Sequence, residues 1–406
     1  MNNKKQLFKS GFLAVLGALL LNCASNAQTL SDSSKISLLT CGSGNELYSV
    51  FGHSALRVHD PVKELDIVYN YGTFDFNTPN FYLKFAKGDL NYLLSIGRYK
   101  YFLPGYFAEQ RWVKEQELNL TLAERQKLFD ALQFNARPEN REYRYDFFFD
   151  NCATRLRDQV FNAVNGKVVL KDAIGQGLTY RQLYGNYLKQ SPWIEFGIHL
   201  LLGAKADLKA DAWHEMYLPD YLYWQFANSK ISCTDGSVKP LVKQDETLLS
   251  FDENENAPST VTPVMAFGLF FVLTLVLSVW AYKSKRSLIA IDLVLLGASG
   301  LASLLFVFLW FFTRHGVTVN NFNLMWALPT NLVLAFLLTL KTPKFESFTK
   351  ILTCISCAIV FIFVLSIQWL PQCFPNGLIF ISLSLLIRFL FIIQQRGWGV
   401  KMSQKR

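Results

Sequence analysis

Cys152 follows Asp150-Asn151 and opens a run with helical spacing. A cysteine at a helix N-terminus meets unpaired backbone N–H groups and the positive end of the helix dipole, and both favour a thiolate. The same N–H groups are placed to hold the oxyanion of an acyl intermediate. A thiol nucleophile needs a base, and His53 is the best candidate. Gly52-His53 directly precedes the apolar run 54–58, which sets the imidazole at the start of a strand. The base in turn needs an orienting polar group. Asn70 stands inside Ile67-Val68-Tyr69-Asn70-Tyr71, an odd place for an amide without a partner. His59 and Asp66 are rivals for that role. The chemistry implied is nucleophilic acyl transfer through a thioester.

The competing reading of Cys152 is structural. Cys41, Cys152 and Cys233 lie in the stretch 28–234, an odd number, so a Cys41–Cys233 disulfide leaves Cys152 free. A bond from Cys152 to either of the others would instead make the protein a non-enzymatic scaffold. No metal site and no cofactor are expected. The chain has five His, and no two have ligand spacing on one element. It has no Gly-rich phosphate loop followed by Lys and no G-x-S-x-G elbow.

The elements that must position these groups form an α+β domain over 28–234. Residues 35–41, 54–59 and 66–76 read as strands, rich in β-branched and aromatic residues between Gly, Asp and Pro. Residues 89–96 and 112–120 are further strands. Thr121-Leu122-Ala123-Glu124 is a capping box for a helix over 122–135, and 152–164, 180–188 and 192–203 read as helices. The polar stretch 235–262 reads as a linker. Aromatic residues are dense at 99–107 and 217–226, as core or as a surface at the bilayer interface.

Both ends of the chain carry membrane signals. The net charge of +9 divides into +3 over 1–27, −4 over 28–262 and +10 over 263–406, so the basic excess lies in the hydrophobic ends. That pattern excludes a nucleic-acid-binding tail and matches topology signals. Residues 1–27 read as a signal peptide, with Lys4, Lys5 and Lys9 ahead of an apolar core and the small residues Ser25 and Ala27 before a cleavage point after Ala27. Leu20-Leu21-Asn22-Cys23 is a weaker match to a lipoprotein box. Five apolar segments follow at 264–282, 288–312, 324–340, 351–370 and 378–393, forming an all-α membrane domain over 263–406. Basic residues follow the first, third and fifth segments, whereas the other two loops hold only Arg314. The positive-inside rule then sets the C-terminus in the cytoplasm and the domain 28–262 outside, in the periplasm. Asp292 and Arg388 fall at one depth and are expected to pair rather than to line an ion path. Cys354 and Cys357, within a span, are expected to be packing residues.

Four blocks resemble a known family. Leu38-Leu39-Thr40-Cys41-Gly42, Phe51-Gly52-His53-Ser54-Ala55-Leu56-Arg57-Val58, Tyr69-Asn70-Tyr71-Gly72-Thr73-Phe74-Asp75-Phe76 and Asn151-Cys152-Ala153-Thr154-Arg155 look like the Lnb family, membrane-bound lipoprotein N-acyltransferases of Bacteroidota. The outer loop 314–326, with Asn320-Asn321-Phe322-Asn323, shares the resemblance. The order of His first and Cys later is similar to permuted papain-like enzymes, the NlpC/P60 and lecithin:retinol acyltransferase group. The resemblance implies a permuted papain-like fold and the catalytic set Cys152, His53 and Asn70, with Asn70 standing where the retinol acyltransferases have His. It implies a bacterial inner-membrane enzyme with a membrane phospholipid as acyl donor and a diacylated lipoprotein as acceptor. Arg314 and His315 are expected at the phosphate head group. The alternative is a membrane-tethered cysteine hydrolase acting on peptidoglycan peptides or protein.

Overall fold

The computed structural model describes residues 28–251, 260–340 and 343–397. The signal peptide read at 1–27, Cys23, and the basic residues Lys341, Lys401, Lys405 and Arg406 lie outside them. The first domain has a seven-stranded antiparallel sheet in the order β10-β5-β1-β2-β3-β4-β6. Its strands are β1 (Lys35–Cys41), β2 (His53–Asp60), β3 (Leu65–Thr73), β4 (Asn91–Arg98), β5 (Val113–Leu118), β6 (Glu142–Arg144) and β10 (Val242–Leu249). A small sheet joins β7 (Gly166–Val169), β8 (Lys230–Cys233) and β9 (Val238–Pro240). The short helices α1 (Phe81–Lys87) and α2 (Phe102–Ala108) flank β4 in the chain. Helices α3 (Leu122–Asn135) and α4 (Cys152–Ala163) pack on the sheet, and α5 (Tyr180–Gly185), α6 (Pro192–Leu201) and α7 (Pro219–Asn228) follow.

The β1 strand is central, and its apolar residues are buried on both faces. Ile36 and Leu38 join the main core with Leu56, Val58 and Tyr69, while Leu39 packs on the other face with Ala55 and Val68. Helix α4 meets the main core through Leu156, Val160 and Ala163, spaced four and three apart on one face. Its N-terminal end is fixed reciprocally. Asn151 Oδ1 accepts from the N–H groups of Ala153 and Thr154, and Thr154 Oγ1 accepts from Asn151 N–H. Asn151 Nδ2 donates to Phe147 O in the preceding turn and to Tyr217 O, tying the cap to a segment 66 residues on. Such a cap contributes about 1 kcal/mol; here it also sets the height of Cys152.

The linker expected over 235–262 is shorter in the structure. Residues 238–249 form β9 and β10, and β10 pairs with β5 from Val242–Leu118 to Leu249–Val113. As an edge strand with exposed Lys243, Gln244, Asp245 and Glu246, β10 shows no apolar alternation. Charged edge strands resist pairing with other chains, and the same charge hides them from a hydrophobic pattern. The dense aromatics at 217–226 divide: Tyr217 and Phe226 are in the core, Tyr221 and Tyr223 are half-buried, and Trp224 is exposed.

Among the described residues, the C-terminal part has five helical segments long and apolar enough to cross a membrane. They are α8 (Pro263–Lys283), α9 (Ile289–Phe311), α10 (Thr330–Thr339), α11 (Glu346–Ser366) and α12 (Leu378–Gln395). The third is broken: a 3₁₀ turn at Phe322–Met325 precedes Pro329, and the α-helix begins only at Thr330. Arg388 donates bidentately to Asp292 at 2.7 and 3.1 Å and to Ser278 Oγ at 2.8 Å, so the two intramembrane charges pair as expected.

The outer loop between the second and third spans clasps the first domain. Asn321 and Asn323 donate to Leu200 O at 2.8 and 3.0 Å, and Gln372 donates to Leu202 O at 3.3 Å. Gly203 N–H donates to Val317 O, and a Cβ on Gly203 would overlap Val319 O. The Asn-rich outer loop is thus the seat of the first domain.

Candidate active site

The β2–β3 ladder runs from Asp60–Leu65 to Leu56–Tyr69 and stops there. Beyond it the two strands part, and the N-terminus of α4 enters the opening. The backbone N–H groups of Ser54, Ala153 and Cys152 point to the Cys152 sulfur. From the β3 side, Gly72 approaches so closely that a Cβ there would lie 3.4 Å from Cys152 Cβ. Gly72 has φ +88°, a conformation that favours glycine. Ser54 and Gly72 therefore bracket the thiol. His53 adjoins the first, and Asn70 is two residues before the second.

His53 Nε2 donates to Asn70 Oδ1 at 3.3 Å. That bond places the ring proton on Nε2 and leaves Nδ1 as the basic nitrogen. Enclosure of His53 lowers its pKa to about 4; the Asn70 bond opposes this, and the positive charge of Arg111 adds to it. The imidazole is neutral at pH 7. Burial raises the Cys152 pKa, against the pull of the three N–H groups. At neutral pH the site holds a thiol and an imidazole, not a preformed ion pair.

The structure brings together Cys152, His53 and Asn70, and it leaves both rivals elsewhere. Asp66 is taken by Arg57, which donates to both its oxygens at 2.8 and 2.9 Å. His59 pairs in register with Lys35 and Asp66, six residues along β2 from His53, or roughly 20 Å. Cys41 is opposite His53 in register. It is buried, its pKa is pushed up to about 12 by desolvation, and Tyr106 hydrogen-bonds to it. All six cysteines among the described residues are free thiols, and Cys41 and Cys233 lie on different sheets. Cys41 and Cys233, whose pairing the sequence leaves open, are not bonded to each other.

Several neighbours were not legible in the sequence. Arg111 donates to Gly42 O at 2.8 Å and faces the Tyr106 ring. Tyr143 and Tyr145 lie beside the thiol, and the buried Tyr143 hydroxyl has no hydrogen-bond partner among the described residues. Gly72 had a signal: a glycine inside a strand pattern marks close approach of another group. Arg155 pairs bidentately with Asp150 and caps the Tyr143 ring at 3.5 Å, while Arg157 holds Asp158 and Trp213 O. Both arginines brace α4. Arg314 pairs with Asp89 at 3.2 Å, and His315 donates to Phe85 O at 3.0 Å, so both engage the first domain.

Comparison with known proteins decides the family. The profile of the Lnb N-terminal periplasmic domain matches residues 23–186, and that of the Lnb transmembrane domain matches residues 254–396. The chain belongs to the Lnb family. No curated protein and no solved structure matches it. As a family member it is an inner-membrane protein of lipoprotein processing, with a periplasmic N-terminal domain and a five-helix transmembrane domain.

Proposed function

We propose that this Lnb family member is a lipoprotein N-acyltransferase that works through a thioester on Cys152. The observation that carries the reading is the His53–Asn70 hydrogen bond beside a thiol on the first residue of α4, in a domain clasped to the membrane helices. His53 Nδ1 takes the thiol proton as the sulfur attacks an ester carbonyl of a membrane phospholipid. The acyl C–O bond breaks, and the proton passes to the leaving glycerol oxygen, releasing a lysophospholipid. The free α-amine of a diacylglyceryl-cysteine lipoprotein then attacks the thioester. Its proton returns through His53 to the departing thiolate, and an amide-linked third chain results. Backbone N–H groups at Ser54 and Ala153 and the unpaired Tyr143 hydroxyl are the donors available to the oxyanion.

The His-strand, polar-strand, Cys-helix order supports a permuted papain-like domain. The basic inner loops support a cytoplasmic C-terminus. A hydrolase would use the same thiol with water as acceptor, but needs no clasp to five spans. The test is mass spectrometry of lipoprotein N-terminal peptides from cells lacking the protein, complemented with the wild type. Restoration of the amide-linked chain supports transfer. Unchanged N-termini with an expressed protein, together with fragments released from cell wall, would favour the hydrolase.

A further inference from the structure

Helix α1 turns an apolar face outward. Tyr82, Leu83 and Phe85 are 79%, 54% and 53% exposed. Its C-terminal end is bonded to the membrane domain just past the end of α9. Arg314 N–H donates to Lys87 O at 2.8 Å, and His315 donates to Phe85 O at 3.0 Å. Phe311 and Phe312, at the outer end of α9, are 63% and 67% exposed. The outward face of α1 therefore continues the lipid-facing surface of a span. The helix's only charges are Lys84 and Lys87, suited to lipid phosphates at the head-group level.

From that face a line of rings leads inward. Phe85 stacks with Phe81 at 6.3 Å, Phe81 meets Phe74 at 5.8 Å, Phe74 meets Tyr92 at 5.4 Å, and Tyr92 stacks on Tyr145 at 4.4 Å. Tyr145 and Cys152 then meet over Gly72, at 3.5 and 3.4 Å from the position of a Cβ there. These four ring-to-ring steps are of the same order as one leaflet's chains, roughly 15 Å. Each ring offers an apolar face to a methylene chain.

We propose that α1 lies in the outer leaflet and that one acyl chain of a membrane lipid reaches Cys152 along Phe85, Phe81, Phe74, Tyr92 and Tyr145. The second clause rests on the acyl-transfer reading; the first does not. The thiol is buried beneath these rings, so the chain displaces them as it enters.

The test is photo-cross-linking of the full chain in cells. A benzophenone amino acid replaces Phe85, Phe74 or, as control, Val62, which is 65% exposed on the turn after β2. Phospholipid adducts are then sought by mass spectrometry. Adducts at positions 85 and 74, well above position 62, are expected. Adducts at 85 but not at 74 would overturn the ring track. Yields at 85 no higher than at 62 would overturn the seating of α1. Adducts at 74 together with unchanged lipoprotein N-termini would remove the transferase reading while leaving the lipid site in place.

Discussion

Asn70 Oδ1 accepts the Nε2–H of His53 at 3.3 Å across the parted ends of β2 and β3. The bond selects one tautomer and one ring orientation, which is what a third catalytic group contributes. Asn70→Ala is expected to lower kcat about 10²-fold by letting the ring swing, with the protein still folded. Asn70→His, which can also accept the Nε2 proton, is expected to recover much of that loss. Equal activities for Asn70→Ala and wild type in an N-acylation assay would remove Asn70 from the machinery.

The His53 pKa of about 4 sets the acid side of the pH profile. The base must be neutral, so activity holds as pH falls through 6.5 and is lost only near 4. Arg111 disfavours the imidazolium, so Arg111→Gln is expected to raise the His53 pKa and move the acid limb upward. Cys152, with its pKa raised, stays a thiol at pH 7 and is expected to react slowly with iodoacetamide. The kcat/KM profile on phospholipid vesicles is the check. A wild-type limb near 6.5, or a downward move for Arg111→Gln, would contradict this electrostatic account.

Gly72 is expected to tolerate no side chain. With φ +88° an alanine there costs about 1–2 kcal/mol of backbone strain and sets a methyl against Cys152. Gly97, on β4, has open space at its Cβ position and serves as the control. Gly72→Ala should lower both thermal stability and kcat, while Gly97→Ala should leave both near wild type. A fully active Gly72→Ala protein would mean that the thiol is not held where the structure has it.

The Asp292–Arg388 pair separates structure from transport. Removing one partner leaves a buried charge and is expected to cost about 3–5 kcal/mol, read as a lower Tm in detergent. Replacing both, Asp292→Leu with Arg388→Met, is expected to recover most of the stability with acylation intact. A stable but inactive double variant would revive the ion-path reading.

How much of this was legible follows from where each signal resides. Cys152, His53 and Asn70 stand out because their types are unusual for their local patterns, so each could be read from its own neighbourhood. The bracket around the thiol could not. Ser54, Gly72, Tyr143 and Tyr145 meet Cys152 only through strand register, which no local window contains. The β10 edge strand was hidden by its charges and read as linker. Helix α1, seven residues with no caps from side chains, carries too little periodicity to stand out. Arg314 and His315 consequently looked free, although their partners, Asp89 and Phe85, lie some 230 residues earlier in the chain.

The central claim is that the acyl chain passes through Cys152. The direct measurement uses purified full-length protein in vesicles of phosphatidylethanolamine carrying isotope-labelled chains, with no lipoprotein acceptor. After quenching, peptides are mapped by mass spectrometry. The account predicts a labelled acyl group on the peptide bearing Cys152, released by neutral hydroxylamine and absent from Cys152→Ala and His53→Ala proteins. Transfer to an added lipoprotein at the wild-type rate by Cys152→Ala, or an acyl group found on Cys41 instead, would contradict it.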